Sequence, residues 1–183
     1  MMIRLLGKTA FILAGLLVST LPITMSQDGE NDTWSIEVVA ETGVLASVSG
    51  RIDRSNRLNI MLDREQCGLG ETWFEIHSTK DKPDFLSLEG RDIVVAMDDR
   101  EIRGRIRDTR ETESGHTARV YLGYKSIASI SKEYEGLEQV QLEIANAENV
   151  SISDYIDSTD YAWSLAGFQK SLKEATLLCE QAS

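Results

Sequence analysis

The sequence predicts a mainly β, antiparallel fold, a β-sandwich or open barrel with one amphipathic α-helix packed on it at the C-terminus. Three observations predict it. Apolar and polar residues alternate in short runs between residues 34 and 144, the period of half-buried strands. Polar, turn-forming stretches separate the runs, which implies an antiparallel sheet folded back on itself. From Ala166 to Gln181 the apolar period changes to that of a helix.

The elements follow in chain order. Arg4 and Lys8 are the only charges before Asp28, and the uncharged, mostly apolar run Thr9–Leu21 between them and Pro22 reads as the core of a secretory signal. Thr24 and Ser26 are the small residues that direct cleavage before Gln27, so residues 1–26 are expected to leave and residues 27–183 to form a single exported β-rich domain. That run is shorter than the roughly 20 residues of a bilayer span, and membrane contact is expected only through it, if it stays uncleaved. Trp34 to Ala40 alternates Trp34, Ile36, Val38 and Ala40 against Ser35, Glu37 and Val39. Leu58, Ile60 and Leu62 repeat the pattern, Cys67-Gly68-Leu69-Gly70 supplies a turn, and Thr72 to His77 is an aromatic and β-branched run. Asp92 to Met97 and Glu101 to Asp108 are strands joined at a hairpin tip of Asp98, Asp99 and Arg100. Thr117 to Tyr124 and Gln139 to Ile144 are two more. Ser126 to Tyr134 fits a short helix and a bent strand equally. In the last segment Phe168, Leu172, Ala175 and Cys179 form one helical stripe, with Gln169, Lys170, Lys173 and Glu174 off it.

Composition bounds the function. The 183 residues suit one domain, and 42% hydrophobic with 27% charged residues excludes wholesale disorder. With 19 Lys and Arg against 30 Asp and Glu the formal charge is -11, and -13 once Arg4 and Lys8 leave with the signal. Such a chain repels phosphates, so no nucleic-acid partner is expected. The cysteines are two, Cys67 and Cys179, and in an oxidising compartment an even pair is expected to form a disulfide, tying the last helical turn to the loop before the Trp73 strand.

No residue set converges on a reaction. Gly68-Leu69-Gly70 lacks the third glycine and the βαβ context of a dinucleotide loop. Ser129-Ile130-Ser131-Lys132 has the spacing of an acyl enzyme without its companion motifs. His77 and His116 have no nucleophile beside them in sequence; a small hydrolase would have to pair them with Asp98 and Asp99. Asp154, Asp157 and Asp160 are a weak calcium candidate, read against a solvated acidic loop. Arg103, Arg105 and Arg107 share one face of their strand; they either pair with Asp98, Asp99, Glu101 and Asp108 or bind a partner.

Trp34 opening the first strand, Leu58-Asn59-Ile60 running to Cys67, Thr72-Trp73-Phe74, and Trp163-Ser164-Leu165-Ala166-Gly167-Phe168 before a late Cys179 resemble the VasI-like proteins encoded beside type VI secretion systems. The Leu165-Ala166-Gly167-Phe168 segment also resembles the invasion-associated locus B proteins, although their closely spaced Cys pair is missing. The resemblance implies an exported, disulfide-held accessory or binding domain. The expectation is therefore a periplasmic or secreted, non-enzymatic protein with a protein partner and no cofactor. An acidic inhibitor of a basic exported enzyme is the alternative.

Overall fold

The computed structural model describes residues 33–40, 42–82, 84–98, 100–145 and 150–183; the expected signal, residues 1–26, and Asp99 lie outside the described residues. The strands are β1 (Ser35–Val39), β2 (Gly43–Ser49), β3 (Arg57–Asp63), β4 (Leu69–Ser78), β5 (Asp92–Met97), β6 (Arg100–Thr112), β7 (Gly115–Ser126), β8 (Gln139–Ile144) and β9 (Asp160–Ser164). Among the described residues two α-helices, α1 (Ile127–Glu133) and α2 (Phe168–Ala182), and two short 3-10 turns, Phe85–Leu88 and Ile152–Asp154, accompany the strands. All nine strands pair antiparallel in one sheet of order β1-β2-β3-β4-β7-β6-β5-β8-β9. The sheet curls into a half-barrel, the open-barrel form of the expected fold rather than a pair of sheets. Its curl brings β9 back to the end of β2, where Gly50 bridges Trp163 and the Arg51 N–H donates to the Ala162 carbonyl at 2.8 Å.

One sheet face and α2 make the core. Val44, Ala46 and Val48 of β2, Leu58, Ile60 and Leu62 of β3, Phe74 and Ile76 of β4, and Ala118 and Val120 of β7 all point into it. Against them lie Phe168, Leu172, Ala175 and Cys179, the stripe legible in the sequence. Phe168 sits 4.9 Å from the Trp34 ring and 5.3 Å from Tyr134, and the Trp34 indole donates to the Ser164 carbonyl at 3.1 Å. Trp163 packs on Phe74 and Tyr161, at 5.7 and 5.9 Å. A disulfide joins Cys67, in the β3–β4 turn, to Cys179 on the last turns of α2, with 5.7 Å between the Cα atoms.

The structure settles what alternation left open. Ser126 to Tyr134 is helical because the Ser126 hydroxyl caps α1, accepting from the Ser129 N–H at 3.1 Å. β2 and β9 escape an alternation test because the open face of β2 carries the apolar Leu45 and the buried Ser47, and four of the five β9 residues are buried. The hydrophilic stretch Glu111–His116 forms the tight end of the long β6–β7 hairpin. Gly115 makes that end possible: its φ is +136°, and a Cβ there would lie 2.1 Å from the Ser78 carbonyl oxygen.

Candidate functional site on the open face of the sheet

Because side chains alternate across a strand, every residue between two core residues points to the face away from α2. The strand register arranges these residues in rows. One row runs Glu37, Leu45, Met61, Glu71, Tyr124 across β1, β2, β3, β4 and β7. The next runs Ser35, Ser47, Asn59, Trp73, Tyr121, Arg105. A third runs Ser49, Arg57, Glu75, Arg119, Arg107.

The first row and its neighbours form a groove of about 1250 Å³, floored by Leu45, Met61, Trp73 and Tyr121. Four carboxylates line it, Glu37, Asp63, Glu65 and Glu71, against two cations, Arg64 and Arg119. Both cations are already committed. Arg64 Nε donates to the Ala182 carbonyl at 2.7 Å; Arg119 Nε donates to Glu75 at 2.9 Å and its Nη1 lies 3.5 Å from Asp108. Arg64 keeps its charge on that neutral carbonyl, but four carboxylates outnumber it and the field of the groove is negative. Tyr124, exposed at its rim, reports it: after a contribution from burial, the Glu71 and Asp63 charges push its phenol up from the ordinary value.

One wall of the groove is an aromatic and arginine cluster. Trp73 stacks on Tyr121 at 5.8 Å, Arg119 lies over Trp73 at 5.8 Å, and Arg107 lies over Tyr121 at 4.9 Å. Trp73 is only 6% exposed, and its indole N–H has no hydrogen-bond partner among the described residues. Arg107 and Arg119 face each other across the β6–β7 pair, a like-charge contact that destabilises a sheet unless it is compensated. A bulge compensates it. The register shifts between Arg107 and Arg110, Asp108 takes φ +53°, and its carboxylate accepts from the Tyr121 hydroxyl at 2.8 Å as well as from Arg119. Burial first, then the bond to Asp108, raises the Tyr121 phenol above its ordinary value. Replacing Asp108 by Ala is expected to destabilise the domain by about 1 to 2 kcal/mol, through the lost acceptor and a left-handed backbone that Ala tolerates poorly. Asp108→Asn, which tolerates that backbone, should lose less than half as much in the same denaturation measurement.

Sequence reasoning placed Arg103, Arg105 and Arg107 on one face, and the structure puts all three, exposed, on this open face beside the groove. Their partners differ from the expected ones: Arg105 lies 3.8 Å from Asp92, Arg107 lies on the Tyr121 ring, and Asp108 turns to Arg119. Across the open face the charge thus changes sign, from acids on β1, β3 and β4 to arginines on β6.

The remaining candidates are occupied in other ways. Among the described residues no three His, Cys, Asp or Glu side chains are grouped to hold a metal ion, so Asp154, Asp157 and Asp160 are not brought together as a calcium site. Asp157 instead straps the end of β4, accepting from the Thr79 N–H at 2.7 Å and the Ser78 hydroxyl at 3.4 Å. Burial opposes that charge, but these hydrogen bonds outweigh it and hold the carboxyl below its ordinary range. His116 stacks on Phe85 at 4.8 Å, and His77 Nε2 lies 3.4 Å from the Ser114 hydroxyl. Both histidines sit near the β6–β7 turn, whereas Asp98 lies at the other end of the thirteen-residue β6. A strand of that length spans roughly 40 Å, so the hydrolase pairing of Asp98 with either histidine does not form. Ser129 and Ser131 belong to the packing of α1: the Ser129 hydroxyl bonds Ser126, and the Ser131 hydroxyl donates to Gln169 at 2.6 Å.

The acids of the groove were missed because they come from separate strands. The signal was present as the half of two alternations that faces away from the core: Asn59, Met61 and Asp63 in β3, and Glu71, Trp73 and Glu75 in β4. Comparison of the chain with known protein families, curated proteins and solved structures found no match.

Proposed function

We propose that this is an exported, non-enzymatic binding protein whose open-face groove receives a basic, partly apolar segment of a protein partner. The observation that carries this reading is the groove itself: an apolar floor of Leu45, Met61, Trp73 and Tyr121, rimmed by Glu37, Asp63, Glu65 and Glu71, with Arg119 paired to Glu75 and Asp108 and Arg64 turned to the Ala182 carbonyl. An apolar floor supplies affinity, and a charged rim supplies orientation and encounter rate. The net charge of -11 adds long-range attraction for a cationic partner. The signal-like residues 1–26 and a disulfide that persists best in an oxidising compartment support a periplasmic or secreted setting. The Cys67 loop before Trp73 and the late-Cys helix support placing the chain with VasI-like accessory domains. A basic exported enzyme held in check by this acidic surface is one partner of the right chemistry.

Carbodiimide coupling of a lysine- and valine-containing peptide, mapped by mass spectrometry, tests the site. Cross-links are expected to concentrate on Glu37, Asp63, Glu65 and Glu71. Cross-links spread evenly over surface acids such as Asp154 and Glu111 would overturn the assignment.

A further inference from the structure

We propose that the free edge of β1 takes an extended partner segment as a tenth strand, with a basic residue opposite Glu37 and apolar residues opposite Ile36 and Val38. The inference rests on the groove reading above and specifies how the basic partner is held.

The two ends of the sheet differ. β9 is closed against the end of β2 by the Gly50–Trp163 bridge and the Arg51 to Ala162 hydrogen bond. β1 ends the sheet order, and among the described residues no strand pairs with its outer side. A strand in that position presents a row of unpaired backbone donors and acceptors, and proteins normally blunt such edges with charged side chains, Pro, bulges or very short strands. β1 is short and has no Pro or bulge, and its one charge, Glu37, repels acidic strands but not a basic one. Its sequence is Ser35-Ile36-Glu37-Val38-Val39, its register with β2 is unbroken over all five residues, and Val38 is 55% exposed.

The groove begins at this edge, since Glu37 and Val39 both line it. A residue paired opposite Glu37 would extend the row Glu37, Leu45, Met61, Glu71, Tyr124, so its side chain would turn to the acidic groove side. Its two sequence neighbours would turn to the other face, beside Ile36 and the exposed Val38. Main-chain pairing supplies affinity in such additions and alternate side chains supply selectivity.

Charge decides the occupant. A second copy paired through all five residues would set Glu37 against Glu37, between chains of charge -11 each. The chain's own segment Gln27–Thr33 carries Asp28, Glu30 and Asp32 and no base. A basic strand from another protein meets neither conflict.

The test uses the full chain and a peptide of alternating Lys and Val, followed by amide hydrogen exchange and by titration. Amide exchange within Ser35–Val39 is expected to slow at least tenfold on binding. N-methylation of one alternate set of peptide amides should weaken binding at least tenfold, while methylating the other set leaves it unchanged. If both methylated peptides bind as well as the parent while Glu71→Lys still abolishes binding, strand addition is overturned and the groove reading survives. If the parent peptide does not bind at all, both fail. Exchange in β1 that slows with protein concentration and without peptide would assign the edge to a second copy and overturn the proposal.

Discussion

Replacing Cys67 and Cys179 together by alanine is expected to lower the unfolding free energy by about 4 kcal/mol, a large share of what a single domain has. The bridge spans 112 of the 183 residues, so it removes loop-closure freedom from more than half of the unfolded chain. The effect also has a local part. Around the bridge, the Arg64 guanidinium donates to the Ala182 carbonyl and the Ser183 hydroxyl donates to the Arg64 carbonyl, each at 2.7 Å. These contacts set the end of the groove where Asp63, Arg64, Glu65 and Ser183 line it. The double variant should therefore lose stability globally and bind a basic peptide more weakly at temperatures where it is still folded. Denaturant unfolding of oxidised, reduced and double-alanine protein measures the first part. A difference below about 1 kcal/mol would mean that the unfolded chain is already compacted near the two cysteines.

Trp163→Ala is expected to cost about 3 to 5 kcal/mol, the range for removing a large aromatic side chain from a packed core. Trp163 is fully buried between Phe74 and Tyr161, and its backbone makes the bridge to Gly50 that holds the curl. The cavity would open where β9 closes on β2, so the loss should be accompanied by faster amide exchange in β8 and β9 than in β3 and β4. Trp163→Phe, which keeps a ring against Phe74, should recover roughly half of the loss. An Ala variant as stable as the parent would show that the curl does not depend on this contact.

The parts of the fold legible in the sequence are those where one face is wet. β4, β5, β6 and β7 alternate because one side meets the core and the other meets solvent or the groove, and α2 announces itself by the Phe168, Leu172, Ala175, Cys179 stripe. The disulfide was legible as an even cysteine pair, one in a turn and the other on the core stripe of the last helix. β2 was hidden because Ser47, on the open face, is only 2% exposed beneath the Arg57 side chain that donates to its hydroxyl. β9 was hidden behind an acidic approach, Asp154 to Asp160, that reads as loop up to its first strand residue. The candidate site was least legible. The arginine stripe lies within one strand and shows directly in its period, whereas Glu37, Asp63 and Glu71 meet only through the register of β1, β2, β3 and β4. The bulge at Asp108, which aims its carboxylate at Tyr121 and Arg119, has no glycine to mark it.

The negative groove is the centre of this account, and equilibrium titration of a lysine–valine peptide at two ionic strengths tests it most directly. Between about 0.01 M and 0.15 M salt the screening length falls from about 30 Å to about 8 Å. The wild-type chain is expected to bind more tightly at the lower salt, and Glu37→Lys with Glu71→Lys to weaken binding at least tenfold there, equivalent to about 1.4 kcal/mol. Glu111→Lys, outside the groove, should leave the affinity within about twofold. Equal affinity of the wild-type and groove-reversed chains at both salts would contradict the account.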